Sequence, residues 1–264
     1  MPDILLTLRA PLTAPIDASV IVPDRFAGLE THQIAVLPLW SAEQPRDPIP
    51  LGDLFRIEGG RSDQVRVSGD CTLAEGLGQG MTGGRLIVEG DAGPNTGRAM
   101  QGGVILVQGS AGPNLGGSFP GASKGMTGGE IVVHGSAGWE AGARMRRGLI
   151  FIGGTTGPRP GRGMIAGTIV TGASVVDEPV RFNKRGSLVL LAAREAEPSG
   201  SNPYGPTYPY ACTYRPPHLP LILSRLRAAH GAAVTDAQIT GLYRRYNGDL
   251  TDVGKGEILV WTGP

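Results

Sequence analysis

The sequence predicts a mainly β protein: a parallel solenoid with one short strand per coil of about 19 residues, a small β-rich N-terminal cap and an α+β C-terminal tail. Three observations carry that reading. Methionine recurs at Met81, Met100, Met126, Met145 and Met164, at intervals of 19, 26, 19 and 19 residues. Each methionine is followed by a short apolar run: Leu86-Ile87-Val88, Ile105-Leu106-Val107, Ile131-Val132-Val133, Ile150-Phe151-Ile152 and Ile169-Val170. Glycine supplies 43 of the 264 residues, well above its usual share of about 7%, with no triplet period of the collagen kind.

The elements follow in order. Residues 1–52 hold strand-like pieces, "ILLTL" (4–8), "SVIV" (19–22) and "IAVLPLW" (34–40), broken up by Pro, Asp and Gly. They predict a cap, which a solenoid needs because its open end is an unpaired strand edge. The repeat occupies 53–193, beginning with Val65-Arg66-Val67, closed by Gly69. The runs are too short for helices, and the glycines on both sides would break one. Branched and aliphatic residues between glycine corners suit strands.

Stacked about 4.8 Å apart, Leu86, Ile105, Ile131, Ile150 and Ile169 form one inward ladder, and Val88, Val107, Val133 and Ile152 the next. Gly90, Gly109, Gly135, Gly154 and Gly172 close the runs, and Gly78, Gly97, Gly116, Gly142 and Gly161 fill a second column. Sharp corners need positive φ, which glycine adopts without steric cost. Methionine, unbranched and adaptable, fills an irregular corner of a narrow core. The 26-residue interval carries a seven-residue insertion near 117–125, with Phe119-Pro120 at its tip, projecting as a loop. Hexapeptide helices are excluded because 19 is not a multiple of six. Calcium-loaded nonapeptide helices need aspartate at most corners, and only Asp70 and Asp91 supply it.

After Gly172 the repeat fades, with "GSLVLLAA" (186–193) as one more strand. The tail, 194–264, opens on a Pro- and Tyr-rich extended arm (198–217). A helix follows at 217–231, with Leu221, Leu223 and Leu226 near one stripe and Gly231 as its stop. A second helix, 235–248, starts on Thr235 and Gln238 in capping-box spacing and ends at Asn247-Gly248. "GEILVW" (256–261) is a final strand.

Composition narrows the function. A net charge of +1 gives no nucleic-acid footprint. Cys71 and Cys212 have neither CxxC nor zinc spacing and read as reduced thiols. "MPDILLTLRAPL" has no signal-peptide pattern, and no segment approaches the ~20 apolar residues of a membrane span, so a cytoplasmic protein is expected. Nucleophile-elbow, P-loop and zincin motifs are missing. His32, His134, His218 and His230 are scattered, with His134 in an outward column beside Glu89 and Gln108. One cluster stands out: Arg144, Arg146, Arg147, Arg159 and Arg162 fall on neighbouring coils. They are either solvated corners or an anion-docking face for a partner's acidic patch or an acidic coenzyme.

The "MTGG-x-(I/L)-(I/V)-V-x-G" blocks at 81–90 and 126–135 resemble the glycine-repeat C-terminal domain of the glutamate synthase large subunit. They are more similar to the C subunit of formylmethanofuran dehydrogenase, which the ending "YRRYNGDLTDVGKGEILVW" (243–261) also favours. The resemblance implies a right-handed parallel β-helix subunit without an active site, cofactor or metal of its own. It implies partners within one complex: an amidohydrolase-like subunit holding zinc, and a molybdopterin-type subunit or its relic. The related complex of methylotrophic bacteria adds a formyltransferase subunit, and moves a formyl group from tetrahydromethanopterin to a furan coenzyme (methanofuran or methylofuran) before hydrolysing it to formate. The bias of arginine over lysine, with only Lys124, Lys184 and Lys255, favours the bacterial complex. Furan coenzymes carry glutamate chains, which gives the arginine cluster an anionic client. The alternatives are a glutamate-synthase-like spacer of an amidotransferase-type complex and a carbohydrate-active β-helix enzyme. The latter needs a row of carboxylates on a strand face, which the outward columns lack.

Overall fold

The computed structural model describes residues 3–41, 43, 46–172, 177–192 and 202–264. The N-terminal part contains β1 (Ile4–Leu8), β2 (Ile16–Asp17), α1 (Pro23–Phe26), α2 (Thr31–Ala35), β3 (Pro38–Ser41), β4 (Ile49–Pro50), α3 (Leu51–Leu54) and β5 (Phe55–Glu58). The repeats give β6 (Gln64–Ser68), β7 (Ala74–Glu75), β8 (Arg85–Val88), β9 (Val104–Val107), β10 (Glu130–Val133), β11 (Leu149–Ile152), β12 (Thr168–Thr171) and β13 (Ser187–Leu190). The tail holds β14 (Tyr210–Tyr214), α4 (Leu219–His230), α5 (Asp236–Thr240), β15 (Tyr243–Gly248) and β16 (Gly256–Trp261).

The protein is mainly β. A mixed twelve-stranded sheet runs in the order β14-β15-β16-β13-β12-β11-β10-β9-β8-β6-β1-β5, parallel from β1 to β16 and antiparallel at both ends. Its register joins Ile4, Val65, Leu86, Ile105, Ile131, Ile150, Ile169, Leu188 and Ile258 in one buried ladder. Each such burial contributes roughly 1.5–3 kcal/mol. The insertion between Met100 and Met126 leaves the register intact, since Ile105 still faces Ile131. A second parallel column, Cys71, Ala92, Ala111, Ala137 and Thr156, pairs through single bridges.

Methionine has a more specific partner than an irregular corner. A Cβ added at Gly103, Gly129, Gly148, Gly167 or Gly186 would meet the ε-methyl of Met81, Met100, Met126, Met145 or Met164. Each methionine thus fills the side-chain vacancy of a glycine one repeat on. Gly142 combines φ +70° with close approach, because an added Cβ would lie 2.6 Å from the Cδ1 of Ile169.

The repeat continues past Gly172. Glu178, Val180 and Phe182 adopt positive φ, as Arg159, Gly161 and Gly163 do one repeat earlier. Asn183 stands 19 residues after Met164, buried, with its amide bonded to both backbone groups of Gly186. The polar substitution at the methionine position, and Val180 at the glycine position, hide this turn from a motif search.

Several elements differ from the sequence-based expectation. "SVIV" (19–22) is a buried turn, and Ile34 and Ala35 belong to α2, so the N-terminal part is less β-rich than expected. Its first strand, β1, is a rung of the main sheet. Part of the expected arm is β14, an edge strand paired with β15; the arm's residues 198–201, and residue 193 of the preceding strand, lie outside the described residues. The second helix stops at Thr240, and 243–248 is β15, not helix. The capping box at Thr235 and Gln238 is present, but pairing with β16 on one side and β14 on the other takes over once the chain passes Gly241.

In α4, Leu221 is 78% exposed, and Leu219, Leu223 and Leu226 form the buried stripe. That stripe packs on the outer face of the sheet, against Val132, Phe151, Val170, Val189 and Leu259. Glu130 anchors the helix, accepting from Arg225 at 2.8 Å and meeting His230 Nε2 at 2.9 Å.

Candidate functional site

An open groove of about 1040 Å³ runs along the corner that carries the insertion loop. The backbone there alternates positive-φ residues, Asn95, Gly97 and Ala99 in one repeat and Glu140, Gly142 and Arg144 in another, with Asn95, Glu140 and Arg144 lining the groove while Thr96 and Ala141 between them stay buried. Corner residues of successive repeats bond each other: Asn114 N paired with the Trp139 carbonyl at 2.8 Å, and Glu140 N with Pro158 at 2.9 Å. Trp139 therefore occupies the column held by Pro94, Pro113 and Pro158.

Three aromatic side chains face solvent at the groove: Trp139 (47% exposed), Phe182 (42%) and Phe119 (39%). Phe119 comes from the insertion, and the Arg98 guanidinium lies over its ring at 4.5 Å while donating to Gln79. The groove's carboxylates are already engaged. Glu75 accepts from the Asn95 amide, Glu140 pairs with Arg159 at 3.2 Å and Arg162 at 3.0 Å, and Asp252 lies 3.8 Å from Lys184. Arg144 donates to the Ala122 carbonyl at 2.6 Å and passes over Gly163. Among the described residues, Arg98, Lys124 and Arg144 have no carboxylate within 4 Å.

The five arginines singled out in the sequence are divided by the structure. Arg144 and Arg162 line the groove, and Arg159 joins them through Glu140. Arg146 and Arg147 are exposed outside it, on the turn entering β11. The sequence places Phe119 at the tip of the insertion, but it does not show that Trp139 and Phe182 join it, because the three lie on different repeats. Phe182 becomes findable once the repeat is extended, since it lies 19 residues beyond Gly163 and 38 beyond Arg144.

Asp70 and Asp91 share a shallow recess with Glu89, but Asp91 accepts from Ser110 N and Asp70 from Thr72 N. The bond from Thr72 holds the Asp70 carboxyl below its ordinary range. His134 is half-buried, with Gly231 at the end of α4 beside it. Among the described residues, no group of three or more His, Cys, Asp or Glu is placed to hold a metal ion, and no helix is long and apolar enough to cross a membrane. Both cysteines are free thiols.

No protein-family model matches the chain. The C subunit of molybdenum-containing formylmethanofuran dehydrogenase 1 from Methanothermobacter marburgensis is 34% identical over 91 residues, 34% of this chain and 22% of the relative. The C subunit of tungsten-containing formylmethanofuran dehydrogenase 2 from Methanothermobacter thermautotrophicus is 33% identical over 96 residues, 34% of each chain. The match thus spans between a fifth and a third of these relatives' length. A chain of the formyltransferase/hydrolase complex FhcABCD from Methylorubrum extorquens, solved by X-ray crystallography in complex with methylofuran, is 31% identical with a TM-score of 0.75. That alignment covers 97% of this chain and 98% of the other.

Proposed function

Because the chain belongs to the family of formylmethanofuran dehydrogenase C subunits, we propose that it is a structural subunit of a complex that handles formyl groups carried on a furan coenzyme. Its task is to hold catalytic subunits in fixed register. The observation that carries this reading is the correspondence over nearly the whole of both chains with a chain of the FhcABCD complex. The dehydrogenase relatives match over about a third of this chain, so a formyltransferase/hydrolase complex is favoured over a dehydrogenase.

The repeats are read as coils of a right-handed parallel β-helix. Residues 1–52, 53–193 and 194–264 divide its surface into cap, body and tail, with β1 and β16 acting as end rungs. Stacked coils present long rigid faces, which suits a spacer between catalytic chains. Zinc, a pterin coenzyme and the furan coenzyme then belong to amidohydrolase-like, formyltransferase and molybdopterin-type partners in a cytoplasmic assembly. Arg144, Arg146, Arg147, Arg159 and Arg162 are proposed as an anion-docking face for an acidic partner patch or the coenzyme's glutamate chain. Replacing Arg146 and Arg147 by glutamate is expected to lower complex recovery or coenzyme affinity, and no change in either would remove that role.

The test of the whole reading is native purification of the tagged chain from its own cells, with mass spectrometry of the co-purifying chains. An amidohydrolase-like and a formyltransferase chain are expected. A molybdopterin chain with iron–sulfur partners would move the assignment to a dehydrogenase. Isolation of the chain alone, or formyl turnover by the pure chain, would overturn the scaffold.

A further inference from the structure

We infer that the groove beside the insertion loop docks one extended, acidic, aromatic-bearing segment of a partner chain. This inference rests on the scaffold reading above and adds where a partner binds and what chemistry it brings.

Size comes first. The groove runs from the Asn95 corner to the Phe182 corner. Those corners are four repeat spacings apart, roughly 19 Å at about 4.8 Å per rung, which an extended chain of about six residues would fill. At about 1040 Å³ and open along its length, it lies at the upper limit of the roughly 300–1,000 Å³ of small-ligand sites.

Charge comes second. Every carboxylate lining the groove is engaged, whereas Arg98, Lys124 and Arg144 have no carboxylate within 4 Å among the described residues, and Arg159 and Arg162 share Glu140. The remaining charge is positive, and the complementary occupant is acidic. Apolar surface comes third. Trp139, Phe119 and Phe182 expose ring area that a purely anionic chain would leave in contact with water. Aromatic residues and arginine are the side chains that dominate binding at protein interfaces. Trp139 stands at a corner where Pro94, Pro113 and Pro158 hold the same column, so the backbone does not require its ring.

The test has two arms. In the first, photo-reactive benzoylphenylalanine is installed at Trp139 in cells, and the complex is irradiated and cross-links are mapped. The expected result is one segment of one partner chain carrying acidic and aromatic or large aliphatic residues. A complex that co-purifies intact without a cross-link, or with a cross-link to a segment lacking acids, overturns the inference and leaves the scaffold reading standing. If no partner co-purifies, the scaffold reading fails, and the second arm decides the groove alone.

That arm measures fluorescence anisotropy of the full chain with a labelled octapeptide of alternating aspartate and phenylalanine. Saturable binding is expected, weakened at least about tenfold by Trp139→Ala or by Arg144→Glu. Peptides with lysine for aspartate or serine for phenylalanine are expected to bind at least about tenfold more weakly than the parent. Equal binding of the acidic serine peptide, or of either variant, overturns the inference, as does binding of a neutral oligosaccharide in preference to the peptide.

Discussion

Cys71 lies in the bridge column with Ala92, Ala111, Ala137 and Thr156, buried among small side chains. Burial, with the Asp70 carboxylate as a second cause, pushes its thiol up from 9.0 to about 12. Cys212 is exposed on β14. A water-soluble disulfide reagent should therefore titrate Cys212 in the native chain and Cys71 only on unfolding. The sign of the pH effect follows from the raised value: the folded chain holds the proton that the unfolded chain loses near 9. The contribution is intact below pH 9 and declines as pH rises toward 12. Cys71→Ala places in the column the residue its neighbours already use, so the variant should fold and lose stability less steeply over that interval. An unchanged slope would assign the alkaline loss elsewhere, with Tyr208 and Tyr243, whose phenols burial also raises, as the groups to examine.

At the scale of elements, the contact between each methionine and the glycine one repeat on makes a paired prediction. Gly186 has no positive φ to preserve, yet an added Cβ would meet the Met164 ε-methyl. Gly186→Ala should cost about 1–3 kcal/mol through overpacking, and Met164→Ala about 2–5 kcal/mol through the cavity it leaves. In the double variant the new methyl occupies part of that cavity, so the loss should fall short of the sum by about 1 kcal/mol or more. Urea unfolding of the four proteins measures this, and strict additivity would show that the two positions do not pack on each other. The same contact explains what was legible in the sequence. A methionine and its glycine recur at fixed spacing because each needs the other, so strands β8 to β12 could be placed from residues alone. The strand β15 could not, because "YRRYNG" becomes a strand by pairing with β14 and β16, and neither pairing is local. The cover over the sheet does leave a signal in the residues. Runs such as "VILV" and "LIFI" are apolar at every position, without alternation, which marks strands buried on both faces.

For the whole molecule, the sheet must end somewhere, and its two ends are sealed differently. At one end β5 runs antiparallel to β1 and carries the exposed Arg56–Glu58 ion pair at 2.9 Å. At the other, β16 returns from the tail to continue both inward ladders with Ile258 and Val260. The strands β15 and β14 then run antiparallel, and β14 has a register shift between Tyr210 and Cys212 and prolines at Pro209 and Pro216. Charge, bulge and proline each discourage a further strand from adding to an edge. The groove followed the opposite logic, and for that reason was only half legible. Its cations stood out as a cluster, whereas its aromatics come from an insertion, a proline column and a repeat without its methionine. The seal makes the last prediction. Ending the chain after Lys255 removes β16, uncovers the parallel edge of β13 and cuts the β14–β15 pair off from the sheet. The outward Val189 also loses Leu259 beside it on the face that α4 covers. The truncated chain should therefore associate through the exposed edge and elute as high-mass species in size-exclusion chromatography with light scattering. Glu257→Gln, which removes the ion pair with Arg245 but keeps an oxygen to accept from Ser187 and keeps the strand, should remain at the parent's mass. A truncated chain of parental mass with an unchanged melting temperature would mean that the ladder is closed before β16.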